Sequence, residues 1–139
     1  MNVDMMLEWA AALESGQYKQ GHGRLHYLDE ETRQLDRHCC IGVACLIFGN
    51  RVGIHRTGTM WRWDKDGVTG HSFPIPLHKE LFPGSYLLQI PEAIQLKHNM
   101  ANVTIGDPAY LNDTWEFSFE DIAACIRYTV EKYQEDNRG

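Results

Sequence analysis

The feature that most constrains the fold is the stretch 39–48 (CCIGVACLIF), in which every residue is apolar or glycine. Such a stretch is expected in the protein core, because these residue types are the ones most often fully buried. Gly42 within it would let another backbone approach closely. Gly49 and Asn50 follow, and both are typical of a helix C-cap. The sequence therefore predicts a short buried helix over 39–48.

The same stretch follows His38 and holds three of the chain's four cysteines, which raises the question of a metal site. The spacing of Cys40 and Cys45 fits a loose zinc pair, with His38 and Cys39 as further ligands. On a helix, however, residues five apart point in directions about 140° apart. No second Cys/His pair at matching spacing follows. Zinc is therefore disfavoured, and no metal is predicted.

A cysteine nucleophile is the second explanation. Cys39 or Cys40 would lie at a helix N-terminus beside a histidine, where the helix dipole and an imidazolium stabilise a thiolate. Candidate partners, a histidine and an orienting amide or carboxylate, are His55, His71, His98, Asn112 and Asp113. In the third explanation the cysteines are small core residues, and Cys45 shares a buried helix face with Ile41 and Phe48. Packing is favoured, and the nucleophile stays the alternative.

Helices are predicted at both ends of the chain. Asp4 is expected to cap a helix that runs to about Ser15, with Gly16 as its end. Ser118 is expected to cap the clearest helix, with Asp121 in a position like that of a capping box. The apolar stripe of this helix, at helical spacing, consists of Phe119, Ile122, Ala123, Ile126, Val130 and Tyr133. Residues 135–139 are expected to fray.

Between these helices the pattern indicates short antiparallel hairpins. In the first, RLHYLD alternates like a strand, DEET forms the turn, and the chain returns towards RHCC. In the second, MWRW places two tryptophans on one strand face before a DKDG turn. Residues 86–90 are a further strand candidate, Pro91 opens a short helix to about His98, and 100–117 looks irregular. The predicted fold class is α+β: one compact domain over 1–139 with terminal helices and a buried central helix.

Charge and composition narrow the class of partner. The net charge is −6, with acidic and basic residues interleaved, which argues against general nucleic-acid binding.

The first residues contain no basic region of an export signal, and no apolar run approaches the roughly 18 residues of a membrane span. The expected compartment is the cytoplasm, where thiols stay reduced. No cofactor is predicted, and DKDG lacks the glutamate of a calcium loop.

The stretch QYKQGHGR (residues 17–24, here the glycine loop) is the one local basic patch, with no acid from residue 15 to residue 28. Free glycine amides beside cations suit a phosphate or carboxylate. Ligand-binding roles are therefore predicted for Lys19, Gly21, His22, Gly23 and Arg24. The loop is not a P-loop, because a helix precedes it and no Gly-Lys-Ser/Thr follows. A polar connection with a turn is an equally supported alternative.

Two further pairs are candidates for ligand binding. In the first, Arg62 and Trp63 are the candidates within a segment that offers Trp61 and Trp63 with Arg56 and Arg62 nearby. Aromatic faces beside arginine suit a nucleobase, although tryptophans on a hairpin more often cover the core. Asn112 and Asp113 precede the last helix. They would either hydrogen bond a ligand or form an Asx-turn that fixes the loop. At both pairs the structural alternative is favoured.

Three blocks of the sequence resemble a family of small bacteriophage and prophage proteins. They are WAAALESGQYKQGHGRL, CCIGVAC and LNDTWEFSFEDIAACI. The family has, in the same order, a Trp-Ala-Leu helix, a Ser-Gly-x-Tyr-x-Gln-Gly-x-Gly loop, a Cys-Cys-Leu-Gly-Val-x-Cys helix, and Leu-Asn-Asp before a Ser-Phe-x-x-Ile-Ala helix. Residues 50–85 lie outside the resemblance. It implies a phage accessory protein that acts in the host cytoplasm, and it implies no mechanism.

These features together predict a protein that acts by binding. The partner would be a host protein, with defence proteins as one class, or a small anionic, nucleotide-like ligand. The alternative is a cysteine hydrolase or transferase that uses Cys39 or Cys40. A third hypothesis is a partner-binding or self-assembling protein without a ligand site, so a homo-oligomer stays open.

Overall fold

A computed structural model describes residues 1–28, 31–32, 35–82, 84–85, 87–100 and 102–138. The described residues form an α+β fold, as the sequence predicts. The helices are α1 (Val3–Glu14), α2 (Cys40–Val52), α3 (Ile75–Leu81), α4 (Glu92–Lys97), α5 (Pro108–Asp113) and α6 (Phe119–Asp136). The strands are β1 (His26–Leu28), β2 (Leu35–His38), β3 (His55–Thr57), β4 (Met60–Trp63), β5 (Gly67–Thr69), β6 (Leu88–Gln89) and β7 (Ile105–Gly106).

The two long outer helices, α1 and α6, pack against each other. The predicted apolar stripe of α6 is buried as far as Val130, whereas Tyr133 is half-buried. Ser118 caps α6 as predicted, because its side chain accepts a hydrogen bond from the Asp121 amide at 3.1 Å. The predicted cap of α1 at Asp4 is wrong. Asn2 caps this helix instead, through its Oδ1 and the Met5 amide at 3.1 Å.

Helix α2 is the predicted buried helix, and it is longer than predicted. It continues past Gly49 to Val52 and ends at Gly53, whose φ of 73° is left-handed. Gly49 is not the C-cap, because the helix continues beyond it; it lies against the Trp61 ring, and a Cβ there would be 2.9 Å from that ring. Gly42 makes a closer contact, since a Cβ would lie 1.9 Å from the Leu25 carbonyl oxygen. The two glycines therefore set how closely α2 packs against the hairpins.

Within the described residues there are three small antiparallel sheets, and they pack against the helices, with β2 on α2 and β6 on α6. β1 pairs with β2, so that His26 lies opposite His38. β3, β4 and β5 form a three-stranded sheet in which Trp61 lies opposite Arg56 and Thr69. β6 pairs with β7. The hairpins predicted from RLHYLD to RHCC and at MWRW with its DKDG turn are confirmed, although residues 29, 30, 33 and 34 of the first turn lie outside the described residues.

The second half of the chain is more regular than predicted. The segment 100–117 contains β7 and α5, and α3 was not predicted. Asp107 caps α5 by accepting hydrogen bonds from the Ala109 and Tyr110 amides, and Pro108 occupies its first turn. The strand predicted over 86–90 is described only at Leu88–Gln89, and residue 86 lies outside the described residues. The helix after Pro91 is confirmed, and α6 continues to Asp136, past the predicted start of fraying.

Candidate functional site

Asn112, at the end of α5, joins parts of the chain that are far apart in sequence. Its side chain is fully buried and all its hydrogen-bonding positions are used. Oδ1 accepts from Gln20 Nε2 at 2.9 Å and from the Cys40 amide at 3.2 Å. Nδ2 donates to the Gly21 carbonyl and to Asp113 Oδ1, both at 2.8 Å. We call Asn112 and these contacts the Asn112 junction. The junction is a structural cross-link instead of the Asx-turn considered from the sequence.

Gln20 extends the junction to the start of α6. Its Nε2 also donates to the Phe117 carbonyl at 2.6 Å, and its Oε1 accepts from the Phe119 amide at 3.1 Å. The glycine loop, the N-terminus of α2 and the α5–α6 connection therefore meet at one buried point. These are the same three sequence blocks on which the phage resemblance rests.

The glycine amides that were expected to bind an anion are already engaged by the protein. The Gly21 amide donates to the His38 carbonyl at 2.8 Å, and the Gly23 amide donates to Asp113 Oδ1 at 2.8 Å. The Asp113 carboxylate thus occupies the position expected for a ligand's anionic group. His22 is exposed, and its Nδ1 donates to the Asn112 carbonyl at 2.8 Å. These hydrogen bonds hold the loop in one conformation, as expected for a structural connection between elements.

The two cations of the loop contact different parts of the molecule, so the structure does not support the expectation that they share one pocket. Lys19 lies 3.7 Å from Asp36 of β2, in an exposed ion pair. Arg24 lines an open cleft of about 260 Å³ at the edge of the three-stranded sheet. The cleft is lined by Arg24, Thr59, Met60, Gly70 and His71.

Arg62 and Trp63 point to opposite faces of the sheet, because consecutive strand residues alternate. Trp63 is half-buried against the core, and its indole covers Gly67, where a Cβ would lie 2.3 Å from the ring. Arg62 is exposed on the other face, opposite His55 and Val68. The two residues therefore do not form the combined nucleobase platform considered from the sequence.

Met60 lies two residues before Arg62 in β4, so it shares Arg62's side of the sheet and connects this side to the cleft. We call this surface the outer sheet face, formed by Arg24, His55, Met60, Arg62, Val68 and His71. No ion pair in the described part of the chain uses Arg24 or Arg62. Residues 19–71 carry eight Lys/Arg and six Asp/Glu, whereas the rest of the chain carries five and thirteen. The residues that form the outer sheet face include two arginines and no acidic side chain, in a protein whose net charge is −6.

The cysteines at the start of α2 are packed in the core. Burial raises the pKa of Cys39 to about 12 and raises the pKa of Cys40 well above its ordinary value. The Cys40 thiol donates to the Pro108 carbonyl at 3.4 Å. Within the described residues, no hydrogen bond joins either thiol to a histidine. Cys45 is also buried, as predicted. The structure favours packing over a reactive thiolate for all three.

The three histidines considered as partners of a nucleophile lie elsewhere. His55 and His71 are exposed at the outer sheet face. His98 Nε2 lies 2.8 Å from Asp121, stacked on Phe117 at 4.1 Å between ring centres. Burial acts to raise the pKa of Asp121, yet hydrogen bonds from His98 and Lys97 outweigh it, and the net pKa is lowered. This cluster ties α4 to the start of α6.

Sequence reasoning missed a buried chain of three rings, which we call the histidine relay: Trp61, His26 and His38. Trp61 Nε1 donates to His26 Nε2 at 2.6 Å, and His26 Nδ1 lies 2.9 Å from His38 Nδ1. Burial lowers the pKa of His26 to about 3, assisted by the charges of His38 and Arg56. Burial also lowers the pKa of His38, against the effect of Asp36. The predicted hairpin contained a signal for this cluster, because the register of its two strands places His26 opposite His38.

Among the described residues, no three His, Cys, Asp or Glu side chains are grouped so that they could hold a metal ion. The described part of the chain contains no helix that is long and apolar enough to cross a membrane.

No protein-family model, curated protein or solved structure matches this chain.

Proposed function

We propose that this protein is a phage accessory protein that acts in the host cytoplasm by binding an acidic surface of a host protein through its outer sheet face. The observation that carries the proposal is the pair of exposed arginines, Arg24 and Arg62, without an ion-pair partner in the described chain. The phage assignment rests on the resemblance of the three sequence blocks, which meet at the Asn112 junction.

The shape and chemistry of the outer sheet face suit a protein partner. Met60 and Val68 add apolar area between the cations, and arginine and methionine are enriched at protein interfaces. A nucleotide-like ligand fits less well, because the loop amides are engaged, Lys19 pairs with Asp36, and Trp63 packs inward. Complementary charge mainly increases association rate and specificity, so binding should weaken as salt rises.

The test is affinity capture from host lysate with the tagged protein, with partners identified by mass spectrometry. The Arg24→Glu/Arg62→Glu variant should lose a partner that the parent retains. Lys79→Glu, an exposed charge reversal on α3, is the matched control and should retain it. The captured protein should have an acidic surface and dissociate when salt rises from about 0.05 to about 0.5 M, where screening is strong. A partner retained by the double arginine variant at parental level contradicts the proposal.

A small anion in the cleft is a second candidate, favoured by Arg24, His71 and Thr59 lining one open cavity. ATP and inorganic phosphate are the probes for isothermal titration calorimetry. Arg24→Gln should weaken ATP binding about tenfold or more, which corresponds to one charged hydrogen bond of about 1.5 to 3 kcal/mol. Absence of heat with both probes at millimolar concentration would exclude this candidate and leave the protein partner.

The cysteine enzyme is tested by iodoacetamide labelling of the native protein near pH 6. Buried, protonated thiols are poor nucleophiles, so Cys39 and Cys40 should label only after unfolding. Rapid labelling of either residue in the native protein would favour the hydrolase or transferase over the binding function.

A further inference from the structure

We propose that the histidine relay is an acid-sensitive switch: it holds the glycine loop in place while both histidines are neutral and releases the loop when they take up protons. The proposal rests on the relay's own geometry and does not depend on the identity of the partner.

The hydrogen positions in the relay allow one arrangement. The indole N–H of Trp61 can only donate, so His26 Nε2 must accept and His26 Nδ1 must carry the proton. His26 Nδ1 then donates to His38 Nδ1, which leaves the proton of neutral His38 on Nε2. A second proton on His26 would face the Trp61 N–H across 2.6 Å. A second proton on His38 would face the His26 N–H across 2.9 Å. Protonation of either ring therefore breaks a hydrogen bond of the relay.

The groups around the relay do little to stabilise a cation there. From β3, the Arg56 charge opposes protonation of both rings. From β2, Asp36 favours a protonated His38, but its side chain is 45% exposed and is shared with Lys19 and Arg37. Two further described neighbours are uncharged at neutral pH: Tyr18 packs edge-on against His38, and Gly42 of α2 lies beside His26.

His38 connects the relay to the glycine loop through its backbone. Its amide donates to the Lys19 carbonyl at 2.8 Å, and its carbonyl accepts from the Gly21 amide at 2.8 Å. At the other end of the loop, the Leu25 amide donates to the Gly70 carbonyl at 2.8 Å, beside the Arg24 cleft. Displacement of a protonated His38 would therefore loosen the loop at residues 19–21. Loss of the bond between His26 and Trp61 would loosen it from the sheet at residue 25.

Native-state amide hydrogen exchange at Gly21, Leu25 and His38, corrected for intrinsic rates, measures this opening. Both histidines are neutral in the closed state, and each gains a proton on opening. The opening constant should therefore rise up to about 100-fold per pH unit below about pH 6. Removing one titrating ring in His38→Gln should reduce the rise to about tenfold. The His26→Gln/His38→Gln variant should show no dependence from this source. His71→Gln, an exposed histidine of the cleft, is the control and should retain the parental dependence.

A parental pH dependence that persists in the double variant would overturn the proposal. If the variants fail to fold, ¹⁵N NMR of the parent's imidazoles provides an independent test. The switch requires His26 to be the Nδ1–H tautomer and both rings to stay neutral in the closed state at pH 6. A charged His26 in the folded protein at that pH, or the Nε2–H tautomer, would also overturn it.

Discussion

The Asn112 junction and the histidine relay are two buried polar clusters that hold the same glycine loop by different chemistry. The junction holds it through amides, with Gln20 and Gly21 bonded to Asn112. The relay holds it indirectly: its imidazoles fix the position of His38, whose backbone is bonded to the loop on either side of Gln20. An amide side chain keeps its donors and acceptors at every ordinary pH, whereas an imidazole exchanges an acceptor for a donor when it is protonated.

The two clusters therefore differ in how the stability that each contributes depends on pH. The bonds among Asn112, Gln20 and Gly21 join amides only, so they contribute specificity and rigidity without a titratable group, and an unsatisfied group in them would be costly. An imidazole cluster provides the same connection, but the stability it contributes falls progressively as pH drops below the pKa of a free histidine. The glycine loop therefore has one anchor whose amide bonds do not titrate and one whose imidazoles do. Variants that disturb each anchor separately test this comparison.

The largest effect is expected from Asn112→Ala. It would leave the Cys40 amide and the Gly21 carbonyl without their partner and remove one acceptor from Gln20. Each buried group left unsatisfied costs about 1–3 kcal/mol, so the free energy of unfolding should fall by about 4 kcal/mol. Urea denaturation measures the loss. Asn137→Ala, an exposed asparagine at the end of α6, should change stability by less than about 1 kcal/mol. Similar losses in the two variants would contradict the special role of Asn112.

Gly42→Ala should disturb the relay side without removing any polar group. Its Cβ would lie 1.9 Å from the Leu25 carbonyl oxygen and 3.2 Å from the His26 ring, so α2 or β1 must shift. Overpacking of this kind costs about 1–3 kcal/mol, and the backbone contact places Gly42→Ala at the upper end. Thermal or urea unfolding tests this against Gly84→Ala, where a Cβ meets open space. Equal stability of both variants would show that the helix can move away at no cost.

The relay should make stability depend on pH in a defined direction. Because the pKa of His26 is lowered from 6.5 to about 3, its contribution is present above pH 6.5 and is lost as pH falls towards 3. Between about pH 6 and 4.5, His26 alone should lower the free energy of unfolding by about 1.4 kcal/mol per pH unit. Urea unfolding across this range should show a shallower slope for His26→Gln than for the parent. Asn112→Ala should keep the parental slope. A slope changed as much as in His26→Gln would show that the Asn112 junction and the histidine relay are not independent.

The smallest effect is expected at the exposed cations. Lys19→Gln and Arg24→Gln should each change stability by no more than about 0.5 kcal/mol, since Lys19 has only an exposed ion pair and Arg24 lines an open cleft. Their unfolding curves should overlie the parent's at pH 7. Marked destabilisation by either substitution would mean that the cation supports one of the two anchors.

Sequence patterns predicted the parts of the fold that depend on neighbouring residues. Helical spacing and the Ser118 cap predicted α6, and strand alternation predicted the hairpin that pairs His26 with His38. The Asn112 junction was not predictable in this way, because Gln20 and Asn112 are 92 residues apart. Helix α5 was missed although Asp107-Pro108 is a cap followed by a first-turn proline, a local signal that the sequence contains.

Glycines were the least predictable residues, because a glycine has two different uses. Gly49 resembles a helix end in sequence, yet in the structure it makes room for the Trp61 ring. Gly53, four residues later, has the left-handed backbone that ends α2. Only the position of the neighbouring sheet distinguishes these uses, and that position depends on contacts between distant segments.

The burial of all four cysteines has a practical consequence for studies of motion and assembly. A cysteine introduced at an exposed position such as Lys79 would be the only readily accessible thiol, so a maleimide dye or spin label would attach at one known site. The native cysteines would not need to be replaced, which would keep the packing of α2 intact. Two such labels, one on α3 and one in the glycine loop, would report the distance between these segments at each pH by energy transfer or by pulsed electron resonance.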